Sequence, residues 1–405
     1  MRLKFAWLLV AAPILFSEDW PQWRGPMRDG SLPSFHEPKV WPEKLAKRWK
    51  IPIGLGHSSP IYAASRIYVF SRQQDNEVIS SINPEDGKVF WRQSYAAPYK
   101  VNPAAEAHGQ GPKSTPVFAD GKLYTLGIGG ILSCFNAATG EVLWRKDFSK
   151  QFQQTSPLFG TAMSPVVDNG LLIAHVGGND NGALTGFDAA SGDIKWAWNG
   201  DGPGYASPVI AAPGGVRQVV TQTQQNIVGV DEASGELLWQ IPFSTPYVQN
   251  IVTPVFFRST LIYSGLSKGT FGVTVTKARG QWSTMELWNN QEVSMYMSSP
   301  VLSGNLLFGF SHKNKGQFFC LDANTGKMQW VSDPRQGDNA AILQVGQRLL
   351  LLKDDGELIV APVSAKGFEP MRRYKVADSP TWAHPLVLEK GIVIKDADSL
   401  AFWSF

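Results

Sequence analysis

Six histidines and two cysteines are the side chains of this 405-residue sequence best suited to metal or redox chemistry. The histidines occur in no His-x-His or Glu-x-x-His spacing, so the sequence predicts no zinc-type site. It also contains no Ser–His–Asp elbow motif, no phosphate-binding loop and no haem-attachment motif. These patterns predict neither a catalytic residue nor a metal ligand.

A recurring aspartate is the next candidate for acid–base or metal chemistry. Asp188, Asp231 and Asp322 each stand four residues before a glycine, and a tryptophan follows that glycine after four more residues. A short Asp side chain caps a tight turn, and glycine tolerates the positive φ that such a turn requires. We therefore interpret this motif as a β-hairpin turn whose aspartate is structural.

The hairpin belongs to a longer repeat that predicts the fold. Each unit opens with a small residue and Pro before β-branched residues, and it holds four short strands in about forty to fifty residues, the spacing of propeller blades. Eight units begin near Pro60, Pro116, Pro165, Pro208, Pro254, Pro300, Ala341 and Pro385. The last unit lacks a fourth strand, whereas Trp49 ends a strand without earlier partners. The sequence therefore predicts an all-β, eight-bladed β-propeller of four-stranded blades, closed by the N-terminal strand.

The same alignment of units explains the cysteines. Cys134 and Cys320 each lie six residues before a turn glycine, and the equivalent positions hold Ser81, Gly186 and Gly229. This column requires a small side chain, so we interpret both cysteines as packing residues. They belong to units two and six, opposite each other in an eight-fold ring. Because a disulfide needs Cα atoms within about 7 Å, we expect two free thiols.

Three segments are predicted along the chain. Residues 1–17 have a basic start, an apolar stretch and a small residue at the end, which is typical of a signal peptide. Residues 18–45 are a Pro- and Gly-rich N-terminal strap expected to pack onto the body, and residues 46–405 form the propeller. No cysteine follows the apolar stretch, so a lipoprotein anchor is not expected. We expect a periplasmic or secreted monomer without a transmembrane anchor.

Candidate binding residues follow from the propeller geometry. First strands begin and fourth strands end on one face, so the preceding loops converge on the ring axis, where loops on a rigid scaffold commonly bind ligands. The predicted ligand-binding residues on this funnel face are His57, His108, Lys113, Tyr205, Asn250, Tyr296, Trp382 and His384, with Arg24 from the strap as an additional candidate. The alternative is that these groups only satisfy one another and ordered water.

The repeat Asp-Ala-x-Thr-Gly followed by Trp resembles that of the PQQ-like, quinoprotein-type propellers. The stretch from Trp20 to Gly30 resembles the opening of a secreted single-domain branch of that family, and the resemblance spans the whole mature chain. It implies the fold but not one function, since quinoprotein alcohol dehydrogenases and BamB-type outer-membrane assembly factors share this repeat. A dehydrogenase would imply PQQ, Ca²⁺ held by an acidic residue and an Asn, a catalytic Asp and adjacent disulfide-linked cysteines. The two cysteines here are not adjacent.

Three functions remain open at this point. The first is a non-catalytic exported propeller that binds a protein, peptide or glycan through the funnel face, and we favour it. The second is a protein that binds PQQ or another small ligand, with a quinoprotein-type oxidoreductase as its enzymatic form. The third is a purely structural envelope protein. A net charge of +3 without a basic run predicts no nucleic-acid partner.

Overall fold

A computed structural model describes residues 19–150, 157–178 and 182–405. The predicted signal peptide, residues 1–17, lies outside the described residues. The described chain forms eight four-stranded antiparallel sheets arranged in a ring, and one of them carries an additional short strand. The predicted eight-bladed β-propeller is therefore confirmed.

Each blade is a simple up-and-down meander whose first strand lies nearest the axis. Two strands precede the first complete blade: β1 (Ser31–Leu32) and β2 (Ala46–Pro52). Blades one to four contain β3 (Ile61–Ala63), β4 (Arg66–Gln73), β5 (Asn76–Ile82), β6 (Val89–Ala96), β7 (Val117–Ala119), β8 (Lys122–Leu126), β9 (Ile131–Asn136), β10 (Val142–Asp147), β11 (Val166–Asp168), β12 (Leu171–Val176), β13 (Ala183–Asp188), β14 (Ile194–Trp198), β15 (Val209–Ala211), β16 (Gln218–Gln222), β17 (Asn226–Asp231) and β18 (Leu237–Pro242).

Blades five to eight follow the same pattern. Their strands are β19 (Val255–Phe257), β20 (Thr260–Gly265), β21 (Gly269–Ala278), β22 (Gln281–Asn290), β23 (Val301–Ser303), β24 (Leu306–Ser311), β25 (Gln317–Asp322), β26 (Met328–Val331), β27 (Ala340–Val345), β28 (Arg348–Lys353), β29 (Glu357–Pro362), β30 (Arg372–Lys375), β31 (Leu386–Leu388), β32 (Gly391–Lys395) and β33 (Ser399–Ser404). Short 3₁₀ helices occupy Pro103–His108, Pro213–Gly215, Pro246–Val248 and Lys313–Lys315.

The ring closes as the sequence predicts. β2 pairs antiparallel with β33, from Ala46 opposite Ser404 to Pro52 opposite Ser399, and so supplies the fourth strand of blade eight. The indole of Trp49 then donates a 2.9 Å hydrogen bond to the Pro84 carbonyl in blade one. Closure joins the two ends of the described chain and covers the sheet edge that β33 would otherwise expose.

Neighbouring blades are joined by the repeated tryptophan and the repeated turn. Trp288 of blade five donates a 3.2 Å hydrogen bond to the Ala323 carbonyl of blade six. Its ring also packs so closely on Gly326 that a Cβ atom there would lie 2.4 Å from Trp288 Cε3. Equivalent indole donors to the next blade are Trp91, Trp144, Trp196 and Trp330. The tryptophan column is therefore an inter-blade contact, as expected.

The small-residue column lies beneath the tryptophan of its own blade. Cys134 pairs with Trp144 in the sheet register, and Cys320 pairs with Trp330. At the equivalent Gly186, a Cβ atom would lie 2.4 Å from the indole of its paired tryptophan. Both cysteines are buried free thiols, so the packing interpretation is confirmed.

The turn aspartates also have the predicted role. Asp322 Oδ1 accepts hydrogen bonds of 3.0 Å from the backbone N–H groups of Asn324 and Thr325. Gly326 follows with a φ of 67°. The carboxylate caps its own hairpin and is not presented to a ligand.

Part of the predicted N-terminal strap packs onto the body by entering the central channel. We call residues 20–32 the plug. Trp20 forms an antiparallel β-bridge with Tyr62 on β3. The Pro21 carbonyl accepts a hydrogen bond from the Phe118 N–H on β7, and β1 pairs in parallel with β27. The plug therefore contacts the first strands of blades one, two and seven from inside the ring. The plug is a component of the core.

Candidate functional site

On the face where the first strands begin, the channel above the plug widens into a cavity that we call the funnel. It encloses about 170 Å³ of water-accessible space. Seven of the nine predicted site residues line it: His57, His108, Lys113, Tyr205, Tyr296, Trp382 and His384. The loops of blades one, two, four, six and eight thus bring together side chains more than three hundred residues apart in sequence.

A positional rule places most of these side chains. In the six blades whose strand proline follows Ser or Thr, the residue two positions before that Ser or Thr faces the funnel, as His57, Lys113 and Tyr205 do. The intervening residue is buried, as Ser58 and Ser114 are. This is the two-residue alternation of extended chain. The rule also identifies Ala162, Ile251 and Met297, which the sequence prediction missed.

A belt of hydroxyl groups fixes the rim from which these residues project. The Ser59 N–H donates to Thr115 Oγ1 at 3.0 Å, and the Thr115 N–H donates to Ser164 Oγ at 2.9 Å. The pattern continues through Ser207, Thr253 and Ser299, and the His384 N–H donates to Ser59 Oγ. The small residue before each proline is therefore a blade-to-blade hydrogen-bond acceptor, which holds the funnel lining on a rigid ring.

Two buried arginines lie beneath the floor of the funnel. Arg28 donates to the carbonyls of Pro208 at 2.6 Å and Pro165 at 3.0 Å, and Arg24 donates to the Pro300 carbonyl. Both guanidinium groups satisfy carbonyls on the inner edges of first strands, which have no neighbouring strand. Burial lowers the pKa of Arg24 to about 10 and that of Arg28 to about 9, so both stay charged at neutral pH.

Arg24, the ninth candidate, therefore lies under the floor rather than in the lining. Trp23 separates the arginines from the open space, with the guanidinium carbons of Arg24 and Arg28 lying 5.5 and 5.8 Å from its ring centroid. Trp23 also meets His384 edge to face at 5.5 Å. The sequence prediction missed Trp23 because nothing local shows that the plug enters the channel.

Asn250 is the candidate that the structure does not bring into the funnel. Its side chain is fully buried, and its amide donates to the carbonyls of Phe243 at 2.8 Å and Thr223 at 2.9 Å. The backbone carbonyl of Asn250 accepts a hydrogen bond from the Tyr205 N–H. Asn250 therefore anchors the loop before β19, one position out of phase with the neighbouring lining residue, Ile251.

The funnel wall combines imidazole, ammonium and aromatic groups. His57 Nε2 donates to the His108 carbonyl at 3.1 Å, which fixes the tautomer of His57. Lys113 Nζ donates to the Phe159 carbonyl at 2.9 Å. The His108 ring lies edge to face with Phe159 at 5.5 Å and with Trp382 at 5.6 Å. Phe159, which the sequence prediction missed, comes from the long connection after β10.

Burial sets the charge of these groups. It lowers the pKa of His57 to about 3, assisted by the positive charges of Lys113 and Lys395, and it lowers the pKa of His384 to about 3, assisted by Arg24. Burial also lowers the pKa of Lys113 to about 8. At neutral pH the two imidazoles are therefore uncharged, whereas the lysines and arginines remain largely positive. Among the described residues, no Asp or Glu lines the funnel.

This lining does not fit the cofactor that the repeat suggests. Ca²⁺ needs several oxygen ligands, carboxylates above all, and the described lining residues include no carboxylate. Within residues 19–150, 157–178 and 182–405, no group of three or more His, Cys, Asp or Glu side chains is arranged to hold a metal ion. The cysteines lie inside blades two and six, away from any quinone position in the funnel. A Ca²⁺–PQQ site of the dehydrogenase type is not formed by these residues.

Comparison with known proteins identifies the family. The family model for the outer membrane protein assembly factor BamB matches residues 74–332, well over half of the chain. This chain belongs to the BamB family. A BamB from Shewanella oneidensis is 23% identical over 295 residues, which cover 70% of this chain and 71% of that protein. A BamB from Yersinia pestis is 22% identical over 206 residues, covering 48% and 47% respectively.

Solved structures agree on the fold. BamB from Moraxella catarrhalis aligns with a TM-score of 0.61 at 16% identity, covering 89% of this chain and all of that one. Quinohemoprotein alcohol dehydrogenase from Comamonas testosteroni aligns with a TM-score of 0.70 at 13% identity, covering 96% and 80%. At these identities the alignments establish the propeller fold alone. In the described part of the chain, no helix is both long and apolar enough to span a bilayer.

Proposed function

We propose that this protein is an exported, non-catalytic binding propeller that holds a protein, peptide or glycan partner at its funnel face. The observation that carries the proposal is the funnel lining itself. It combines aromatic rings, neutral imidazoles and ammonium groups without a carboxylate that is able to act as a base or bind a metal. Such a surface offers aromatic packing and hydrogen-bond donors to a bound partner.

Two further features support this proposal. The belt and the inter-blade tryptophans hold the lining on a rigid scaffold, which lowers the entropic cost of binding. The family relatives are assembly factors by name, a role that is compatible with partner binding. The predicted signal peptide supports export to the periplasm or beyond.

The second candidate function is binding of a quinone or another small ligand. The fold-level similarity to quinohemoprotein alcohol dehydrogenase favours it. The lining argues against the oxidoreductase form, because it lacks carboxylates for Ca²⁺ and for a catalytic base. We expect no alcohol oxidation by the purified protein supplied with PQQ and Ca²⁺.

The proposal is tested by comparing two double variants in a capture assay with envelope extract. The funnel variant combines His108→Ala and Lys113→Ala, and the turn-face control combines Asp188→Ala and Asp322→Ala. Removing a hydrogen bond made by a charged donor weakens binding by roughly tenfold or more. We therefore expect the funnel variant to lose the partners that the wild type retains, and the control to keep them.

Both variants must retain a cooperative thermal transition for this comparison to count. If a folded turn-face variant loses capture while the funnel variant captures normally, the partner binds the turn face and the proposal is refuted. Turnover of an alcohol by the loaded protein would support the oxidoreductase alternative instead.

A further inference from the structure

We infer that the funnel recognises an oxyanion, such as a carboxylate, carried on a planar apolar group. This inference rests on the proposed binding function and names the chemistry of the ligand. It follows from three independent features of the described residues: the charge around the cavity, the buried donors at its floor, and the rings in its wall.

The charged groups in and immediately around the cavity are predominantly positive. Lys113 lines the wall, and the buried ammonium of Lys395 stands behind it, held by the carbonyls of Gly54 and Gly56. Arg24 and Arg28 lie under the floor. The carboxylates close to these cations lie outside the lining: Asp29 accepts from Ser31, and Asp396 accepts from Ser399 and Lys50. Asp396 and Asp398 partly oppose the lowering of the Lys395 pKa by burial. A low-dielectric cavity of one sign of charge concentrates ions of the opposite sign.

Polar nitrogens at and beneath the floor are left unpaired by the described residues. Nε and Nη1 of Arg24, which is fully buried, have no hydrogen-bond partner, and neither does the buried Nδ1 of His384. Both groups lie 5.5 Å from the ring centroid of Trp23. Because buried polar groups are almost always paired, a water beneath Trp23 is able to link the Arg24 nitrogens to the cavity, whereas His384 lines the cavity itself.

The wall supplies apolar surface for the body of the ligand. Trp23, Phe159, Tyr205 and Trp382 all face the same space. Phe159 and Tyr205 meet edge to face at 5.9 Å. Aromatic walls pack well against a flat ring or a flat side chain, and a cavity of about 170 Å³ admits only a small one.

Lys113 provides the contact that a ligand reaches first. Its ammonium has three N–H donors, and one of them is used on the Phe159 carbonyl at 2.9 Å. The others are able to donate to a ligand oxyanion at the wall, while the guanidinium groups attract it from below. A free aromatic acid and the carboxylate of a partner segment share this chemistry.

The test is titration calorimetry with 2-naphthoate and with 2-naphthamide, which has the same ring system without the charge. We expect the wild-type protein to bind the acid at least about tenfold more tightly than the amide, because charge-assisted hydrogen bonds are the stronger ones. Binding of the acid should weaken as salt rises. Peptides ending in phenylalanine, with a free or an amidated C-terminus, test whether the oxyanion belongs to a partner segment.

The variant arm uses Lys113→Met, with Lys195→Met on the turn face as the matched control. Lys195 is half exposed and pairs with Asp188. We expect Lys113→Met to weaken naphthoate binding by tenfold or more and Lys195→Met to leave it unchanged. The comparison of naphthoate with naphthamide uses the wild-type protein alone, so it does not depend on whether a variant folds.

Equal affinity for acid and amide, or no binding of either, overturns the inference. Failure of the inference is distinguishable from failure of the proposed function. Naphthoate binding without funnel-dependent partner capture upholds the ligand chemistry and refutes the binding role, whereas funnel-dependent capture without naphthoate binding does the reverse.

Discussion

Three histidines of this protein are kept neutral by burial. The pKa of His57 and that of His384 are lowered to about 3, and the pKa of His175 is lowered to about 4. His175 keeps one hydrogen bond, from Nε2 to the Asp201 carbonyl at 3.2 Å. In the unfolded chain each imidazole returns to its ordinary pKa near 6.5. The unfolded state therefore binds more protons than the folded state between about pH 6.5 and pH 3.

This difference predicts that the free energy of unfolding falls as the pH drops below 6.5. Each such histidine contributes a loss of about 2 kcal/mol between pH 8 and pH 5. His175→Gln, which cannot take up a proton, should flatten the curve by about that amount. The measurement is chemical denaturation at several pH values. Parallel curves for wild type and His175→Gln would contradict the assignment of His175 as a buried neutral group.

At the level of the hairpin, glycine serves two purposes that can be separated. Gly326 has a φ of 67° and lies against Trp288 of the preceding blade, whereas Gly280, in the turn between β21 and β22, has a φ of 84° and open space around it. Alanine at either position meets the left-handed backbone penalty. Only alanine at 326 also collides with a neighbouring blade.

We therefore expect Gly326→Ala to destabilise the protein by about 1–3 kcal/mol more than Gly280→Ala, the usual cost of overpacking. Urea denaturation of both variants against wild type gives the comparison. Equal losses would mean that the turn glycine is required only for its backbone conformation and that the inter-blade contact contributes nothing measurable.

These hairpins were predictable from sequence because their signals are local and repeated. Asp322, Gly326 and Trp330 recur at fixed spacing through the chain, and the same column shows that Cys320 is a packing residue. The funnel residues were partly predictable for the same reason, since position relative to each strand proline determines which side chain faces the axis. Asn250 lies outside the funnel although Tyr296, at the same distance before its strand proline, lines it. The difference depends on the hydrogen bonds of Asn250 to the Phe243 and Thr223 carbonyls, which the local sequence does not show.

The plug was not predictable in this way. Its placement depends on contacts such as Arg24 with the Pro300 carbonyl, between residues 276 positions apart. A Pro- and Gly-rich loop with two tryptophans packs equally well, as far as its own sequence shows, onto the outside of the ring. The carbonyls that accept from the guanidinium groups, those of Pro165, Pro208 and Pro300, come together around the axis only once the ring has formed.

For the whole molecule, the plug determines what kind of site the channel offers. Residues 20–32 fill the axis and pair with β27, and Trp23 forms part of the funnel floor. The funnel is therefore a blind cavity that opens on one face, with a positive floor and aromatic walls. The opposite face presents short hairpin turns capped by their own side chains. The two faces differ in chemistry, and among the described residues it is the funnel face that brings the imidazoles, Lys113 and the aromatic rings of the lining together.

The most direct test of this account is amide hydrogen exchange with and without a captured partner. If the funnel is the binding site, the partner slows exchange in the loops that precede the first strands, residues 54–59, 108–115, 203–207 and 381–384. The hairpin turns at 188–192 and 322–326 should keep their exchange rates. Protection confined to those turns, with no change in the funnel loops, would contradict the account.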